Sequence, residues 1–175
     1  MLGLAPERHA ARIAYAAIVA RARAPGFYAA RGVPDTLDGR FELIALHAFL
    51  VLHRLRAEPA AQGFAQALFD AMFQDMDRGL REMGTGDLSV GKQVKRMATG
   101  FYGRIDAYQA GLAAGDPTEA LRRNLFGTLA EPDAAQVAWF AAYLADQAAA
   151  LAGQPAIAIA TGRVEFAPFP AEAAP

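Results

Sequence analysis

Apolar residues along this chain recur mostly at three- and four-residue spacings, and few runs alternate as strands do. The pattern predicts helices at 7–23, 36–57, 61–83, 88–113, 117–128 and 133–152. Breaks fall where proline, glycine and aspartate cluster: Pro25 and Gly26, Pro34 to Thr36, Pro59, Gly84 and Gly86, Gly115 to Pro117, and Pro132 with Asp133. Asp116, Asp133 and Asp35 are the expected N-caps of the helices that follow them, Asp116 with Pro117 at the first helical position. The segment 36–57 is apolar almost all round, from Leu37 and Phe41 to Leu52 and Leu55, which places it at the centre of a core. The segment 61–83 is amphipathic. Phe64, Leu68, Phe69, Met72, Phe73, Met76, Leu80 and Met83 share one face, with Asp70, Gln74, Asp77, Arg78 and Arg81 opposite. Asp75 and Glu82 stand at the edge of the apolar stripe.

The segment 88–113 carries a core stripe of Val90, Val94, Met97, Phe101, Ile105, Tyr108 and Leu112. A second face is built of small residues: Gly100, Gly103, Ala107, Ala110, Gly111 and Ala114. A mid-helix glycine costs about 1 kcal/mol against alanine, so two of them three apart point to close packing. A sister helix is the expected neighbour, ahead of an external partner. The stretch 156–166 alternates, and Thr161 with Gly162 predicts the turn of a short β-hairpin. The expected fold is therefore all-α, a single compact domain of about six helices over 1–153. A C-terminal tail follows over 154–175, with the hairpin in it and a loose, proline- and alanine-rich end.

Composition narrows the function. The 175 residues suit one domain, and 54% hydrophobic content is enough for a sizeable core. A net charge of −1 gives no global field towards nucleic acid. Cysteine is absent, which removes disulfides, thiolate nucleophiles and cysteine metal sites. The N-terminus lacks the basic start of a signal peptide, and the run from Ile13 to Ala20 is too short to span a bilayer. The expected location is the cytoplasm, and a peripheral contact at the inner membrane is compatible with it.

Several stretches resemble chemical motifs. Gly86 to Lys92 fits the first seven positions of the phosphate-binding pattern G-x-x-x-x-G-K-[ST], but Gln93 replaces the magnesium-holding hydroxyl. A helix precedes it where a strand is needed, and Asp87 places a negative charge among the phosphate ligands. The stretch reads better as a connection, with Gly84 ending one helix in a left-handed cap and Asp87 or Ser89 capping the next. His9, His47 and His53 show no metal spacing, Ser89 is the single serine, and Asp75 and Asp77 point to different faces. No catalytic residue, metal or cofactor is expected. Lys92, Lys95 and Arg96 crowd a helix N-terminus, where the dipole disfavours cations. Lys92, Lys95 or Arg104 is therefore expected to pair with Asp75, Asp77, Glu82 or Asp87.

Longer signatures run through the same region. They are Val33 to Thr36, Gly39 to Glu42, Leu46 with His47, Asp75 to Asp77, Leu80 to Gly84, Gly86 to Leu88, Val90 to Lys92, and Phe101 to Arg104. Together they resemble the ubiquinol–cytochrome c chaperone family over about Tyr15 to Leu112, and they absorb the truncated phosphate motif. The resemblance implies a non-enzymatic assembly chaperone for ubiquinol–cytochrome c reductase, with newly made cytochrome b or another membrane-protein client and a small helical partner. Without an evident targeting extension, the chain looks like a bacterial relative. No specific nucleic acid is expected. The candidate partner-binding residues are Asp75, Asp77, Glu82, Asp87, Lys92, Lys95, Gly100, Tyr102, Gly103 and Arg104. Methionines 72, 76, 83 and 97 offer an adaptable lining for an apolar segment. The alternative is a small helical enzyme or cofactor-binding protein using the Asp/Lys/Tyr cluster of residues 75–104. Convergence of Asp75, Glu82, Asp87, Lys92, Tyr102 and Arg104 in a closed pocket favours that alternative; ion pairs or a shallow surface favour binding.

Overall fold

The computed structural model describes residues 4–169. Its elements are α1 (Leu4–Ala22), α2 (Pro25–Ala29), α3 (Leu37–Leu55), a 3₁₀ turn (Pro59–Ala61), α4 (Gln62–Glu82), α5 (Asp87–Ala114), α6 (Thr118–Arg123), α7 (Ala134–Ala152) and α8 (Ala156–Ala160). The fold is all-α.

The apolar wrap of α3 has the consequence it predicts. Phe41, Leu43, Ala45, Leu46, Phe49, Leu50 and Val51 are all buried, and α1, α5 and α7 pack around the helix. Its start is fixed by Thr36, whose hydroxyl accepts from Gly39 N at 3.1 Å. Asp35 was the expected cap, but its carboxylate turns outward to Arg40 at 2.7 Å. The amphipathic α4 lies along α1 and meets α5 after a tight turn. That turn is closed by Gly84 at φ 83°, with Gly84 N on Arg81 O and Thr85 N on Leu80 O. Neither Asp87 nor Ser89 caps α5; Gly86 holds the cap position without a side-chain bond. Asp133 caps α7 through Ala135 N at 2.7 Å, and Asp116 accepts from Thr118 N at 3.0 Å.

Three expectations about elements change. The helix predicted over 117–128 stops at Arg123. Beyond it, Phe126 N reaches back to Leu121 O, and the turn drops Leu125 and Phe126 into the core. The expected hairpin is not formed, and no strand occurs among the described residues. The turn at Thr161 and Gly162 is real, but it ends a helix. Gly162 N bonds Ile159 O and Arg163 N bonds Ala158 O around a left-handed glycine. Ile159 is buried while Ile157 is exposed, so the alternation that suggested a strand is one face of a single helical turn. Finally, residues 167–169 of the expected loose end lie against the bundle. Ala167 is hydrogen-bonded to Gln147 and Arg21, and Phe169 packs on Phe27. Residues 170–175 lie outside the described residues.

Candidate functional site

A cleft of about 590 Å³ opens where the C-terminal end of α1, the start of α3, the second half of α4 and one turn of α5 meet. Its apolar wall is Leu37, Phe41 and Ile44 from α3, Met76, Leu80 and Met83 from α4, and Met97 from α5. Tyr28 of α2, Arg23, Asp35, Arg40, Asp75 and Glu82 add polar groups. Leu37 and Met83 remain 43% and 60% exposed at this site, which an ordinary core face does not show. The cleft arises from the stripe of α4. Met76 and Met83 continue the face that buries Phe64, Leu68, Met72 and Leu80, but among the described residues Met76 is only partly covered and Met83 is left exposed.

Asp75 and Glu82, at the edge of that stripe, both line the cleft. Asp75 accepts from the Tyr15 hydroxyl at 2.9 Å and pairs with Arg78. Burial, and then the adjacent Asp75 charge, push the Tyr15 hydroxyl far above its usual range, so it stays a donor. Glu82 makes no ion pair among the described residues.

The other candidates do not converge. Asp77 pairs with Arg81 at 2.6 Å, and the same guanidinium reaches Asp87 across the α4–α5 turn. The Arg81 hydrogen bond holds the Asp77 carboxyl below its usual range. Lys92 and Lys95 have no carboxylate within ion-pairing reach among the described residues, and both are exposed. Arg104 forms a two-pronged pair with Glu42, its Nε donating to Oε2 at 2.8 Å and its Nη2 to Oε1. The expected pairing of Lys92, Lys95 or Arg104 with the α4 carboxylates and Asp87 is therefore wrong. Arg78 and Arg81 reach Asp75 and Asp77 first, because residues three and four apart lie side by side on one helix, and Arg81 also takes Asp87 across the turn. Arg104 instead neutralises Glu42, a carboxylate inside the apolar wrap of α3.

The small-residue face of α5 also departs from expectation. A Cβ on Gly103 would meet nothing within 4 Å, and one on Gly100 would meet the tip of Arg104 from its own helix. Of the three glycines, Gly111 is the one packed closely, with Pro117 at 2.6 Å from its Cβ position. Among the described residues no sister helix lies on Gly100 and Gly103. Tyr102, beside them, is 57% exposed and stacks on Phe69.

The enzyme alternative needed Asp75, Glu82, Asp87, Lys92, Tyr102 and Arg104 in one enclosure. Two of the six line the cleft, and the rest are ion-paired elsewhere or open to solvent. The residues that join Asp75 and Glu82 there, Arg23, Tyr28, Arg40, Phe41 and Ile44, escape sequence reasoning because they come from the turn after α1, from α2 and from α3. One signal was present: Arg40 and Phe41 sit inside the Gly39 to Glu42 signature. Among the described residues no cluster of histidine and carboxylate could hold a metal, and no helix is long and apolar enough to cross a membrane.

Comparison with known proteins follows the same region. The family model described as ubiquinol-cytochrome C chaperone matches residues 29–166. The chain is 31% identical over 148 residues to Protein CBP3, mitochondrial, of Saccharomyces cerevisiae, covering 81% of this chain and 44% of that protein. It is 27% identical over 114 residues to ubiquinol-cytochrome-c reductase complex assembly factor 1 of Xenopus laevis, covering 63% of this chain and 57% of the relative. The chain thus spans about half the length of these curated relatives. The crystal structure of the Cbp3 homolog from Brucella abortus superposes with a TM-score of 0.81 at 37% identity, over 93% of this chain and 91% of that one.

Proposed function

The chain belongs to the ubiquinol-cytochrome C chaperone family, and from that membership we propose that it is a non-enzymatic assembly chaperone for ubiquinol–cytochrome c reductase. Its cleft holds an apolar helical segment of a newly made membrane subunit, with cytochrome b the first candidate. The observation that carries this reading is the uncovered stretch of the α4 stripe, where Met76, Met83 and Met97 face Phe41 and Leu37. Unbranched thioether chains adapt to differently shaped apolar partners, which suits a site that must accept and later release a client. Glu82 beside that lining, without an arginine partner among the described residues, offers a negative group to the basic loops of a membrane protein, whereas Asp75, Asp77 and Asp87 would first have to leave Arg78 and Arg81. The exposed face of α5, with Lys92, Lys95, Gly100, Tyr102 and Gly103, is assigned to the small helical partner. The protein works beside the membrane, on its cytoplasmic side.

The test is a photo-cross-linking residue at position 83 in growing cells, followed by identification of the captured protein. A subunit of the reductase is expected. Deleting the gene should lower assembled reductase while soluble metabolism continues. Normal reductase levels in a clean deletion grown on respiratory substrate would sink the proposal.

A further inference from the structure

The C-terminal segment is held to the bundle largely through its backbone. After the left-handed Gly162 at φ 98°, residues 163–169 run without helix across α1 and α7. The Gln154 side chain accepts from Glu165 N at 3.1 Å through Oε1 and donates to Glu165 O through Nε2. Gln147 repeats the pattern two residues on, accepting from Ala167 N at 2.9 Å and donating to Ala167 O at 3.2 Å. Gln147 stands on α7, and Gln154 lies in the bend just past its C-terminal end. Each carboxamide reads one residue of the strap as a neighbouring β-strand would, by taking its N–H and giving to its C=O. Arg21 adds bonds from Nη2 to Phe166 O at 3.3 Å and Ala167 O at 2.5 Å.

Two aromatic side chains complete the match. The Phe166 ring meets His47 at 5.2 Å, and the Phe169 ring meets Phe27 at 4.8 Å and Trp139 at 5.6 Å. A Cβ on Gly26 would lie 2.8 Å from the Phe169 ring, so that glycine leaves the room the ring takes. Gln147 is 1% exposed, and both its hydrogen bonds among the described residues go to the strap backbone. The strap thus both covers this amide and supplies its hydrogen-bond partners. The strap itself is only half-buried, with Glu165 and Pro168 exposed. Such a site selects an extended backbone and an aromatic-x-x-aromatic spacing. Nothing in that selection requires the segment to belong to the same chain.

We propose that this α1–α7 face is a peptide-binding site for an extended segment of a partner protein carrying two aromatic residues three apart. Residues 163–169 occupy it as a displaceable self-ligand. The cis segment lowers the apparent affinity for the partner by the fraction of molecules in which it is released.

The experiment uses the full chain and a fluorescent peptide of residues 163–169. Anisotropy titration should give weak binding to the native chain. Binding should be at least about tenfold tighter to a Phe166→Ala, Phe169→Ala chain, whose own strap competes poorly. Adding Gln147→Ala to that chain, or replacing both phenylalanines of the peptide by alanine, should remove the gain. A double variant that keeps its helical circular dichroism and binds no more tightly than the native chain overturns the proposal. If the double variant loses its helical signal, hydrogen exchange of the native chain decides. Glu165 and Ala167 amides exchanging well before those of Phe140 to Leu144 support release of the strap, and exchange of all of them only by global unfolding refutes it. A concentration-dependent dimer of the native chain that the two alanines abolish would mean exchange between copies, and would overturn the assignment to a partner protein.

Discussion

His47 is fully buried in the middle of α3, yet both ring nitrogens are used. Its Nδ1 lies 2.7 Å from Leu43 O, to which it donates, and in the neutral ring that burial favours its Nε2 accepts from the Tyr143 hydroxyl at 2.8 Å. Burial lowers its pKa from 6.5 to about 4, with the nearby Arg21 charge adding to the effect. The neutral ring is favoured by the fold, so this contribution to stability is complete above pH 6.5 and is lost as pH falls towards 4. The span corresponds to roughly 3 kcal/mol. Urea midpoints measured from pH 7.5 down to 4 should fall more steeply for the native chain than for His47→Gln, which does not titrate. Equal slopes would show that His47 is not the group responsible. The Glu42–Arg104 pair gives a second expectation. With the Glu42 and Arg104 side chains 8% and 21% exposed, Arg104→Met leaves a buried carboxylate alone and should cost about 3–5 kcal/mol. The double variant Glu42→Leu, Arg104→Met should recover much of that loss in the same denaturation assay, because the uncompensated charge is gone.

On α5, the two central glycines divide once their surroundings are known. A Cβ on Gly103 enters open space, so Gly103→Ala should stabilise the chain by about 0.5–1 kcal/mol through helix propensity alone. A lower melting temperature for that variant would mean that something does pack there in solution. Gly100→Ala should gain less, because its Cβ would press on the Arg104 tip at 2.8 Å and disturb the pair with Glu42. At the end of α8 the sign reverses. Gly162 has φ 98°, and a Cβ there would lie 2.8 Å from Ala10 O, so Gly162→Ala should cost about 1–3 kcal/mol in thermal or chemical unfolding. The same residue type is thus dispensable in one element and required in another, and the backbone angle and nearest neighbour decide which.

For the whole molecule, the cleft predicts a separation of stability from function. Leu37 and Met83 are already exposed in part, so Leu37→Asp with Met83→Asp should leave the melting temperature within a few degrees of the native value. The same pair of charges should abolish cross-linking of the client to position 76, because an apolar segment would then meet two carboxylates. Loss of fold in that variant, or unchanged capture, would count against the cleft as the client site. The family match over residues 29–166 and the 0.81 TM-score to the Brucella homologue make the bundle a shared scaffold.

The periodicity of the sequence sufficed for the long helices, because burying a stripe or a whole cylinder is a local pattern with a global consequence. The centrality of α3, the Gly84 cap and the position of Asp75 and Glu82 beside the α4 stripe could all be read from spacing. So could the turn at Thr161 and Gly162, but whether it joined two strands or ended a helix could not. Five residues of alternating alanine and isoleucine satisfy both patterns, and the choice fell to Ile159, which found a place in the core. Ion pairing was likewise decided in three dimensions. Side-chain reach and helix geometry gave Asp77 and Asp87 to Arg81, and Arg104 to a carboxylate 62 residues away. The cleft and the strap site belong wholly to the tertiary structure. Each is assembled from several elements, and one-dimensional spacing carries no information about which distant faces the core brings together, or which part of a stripe it leaves uncovered.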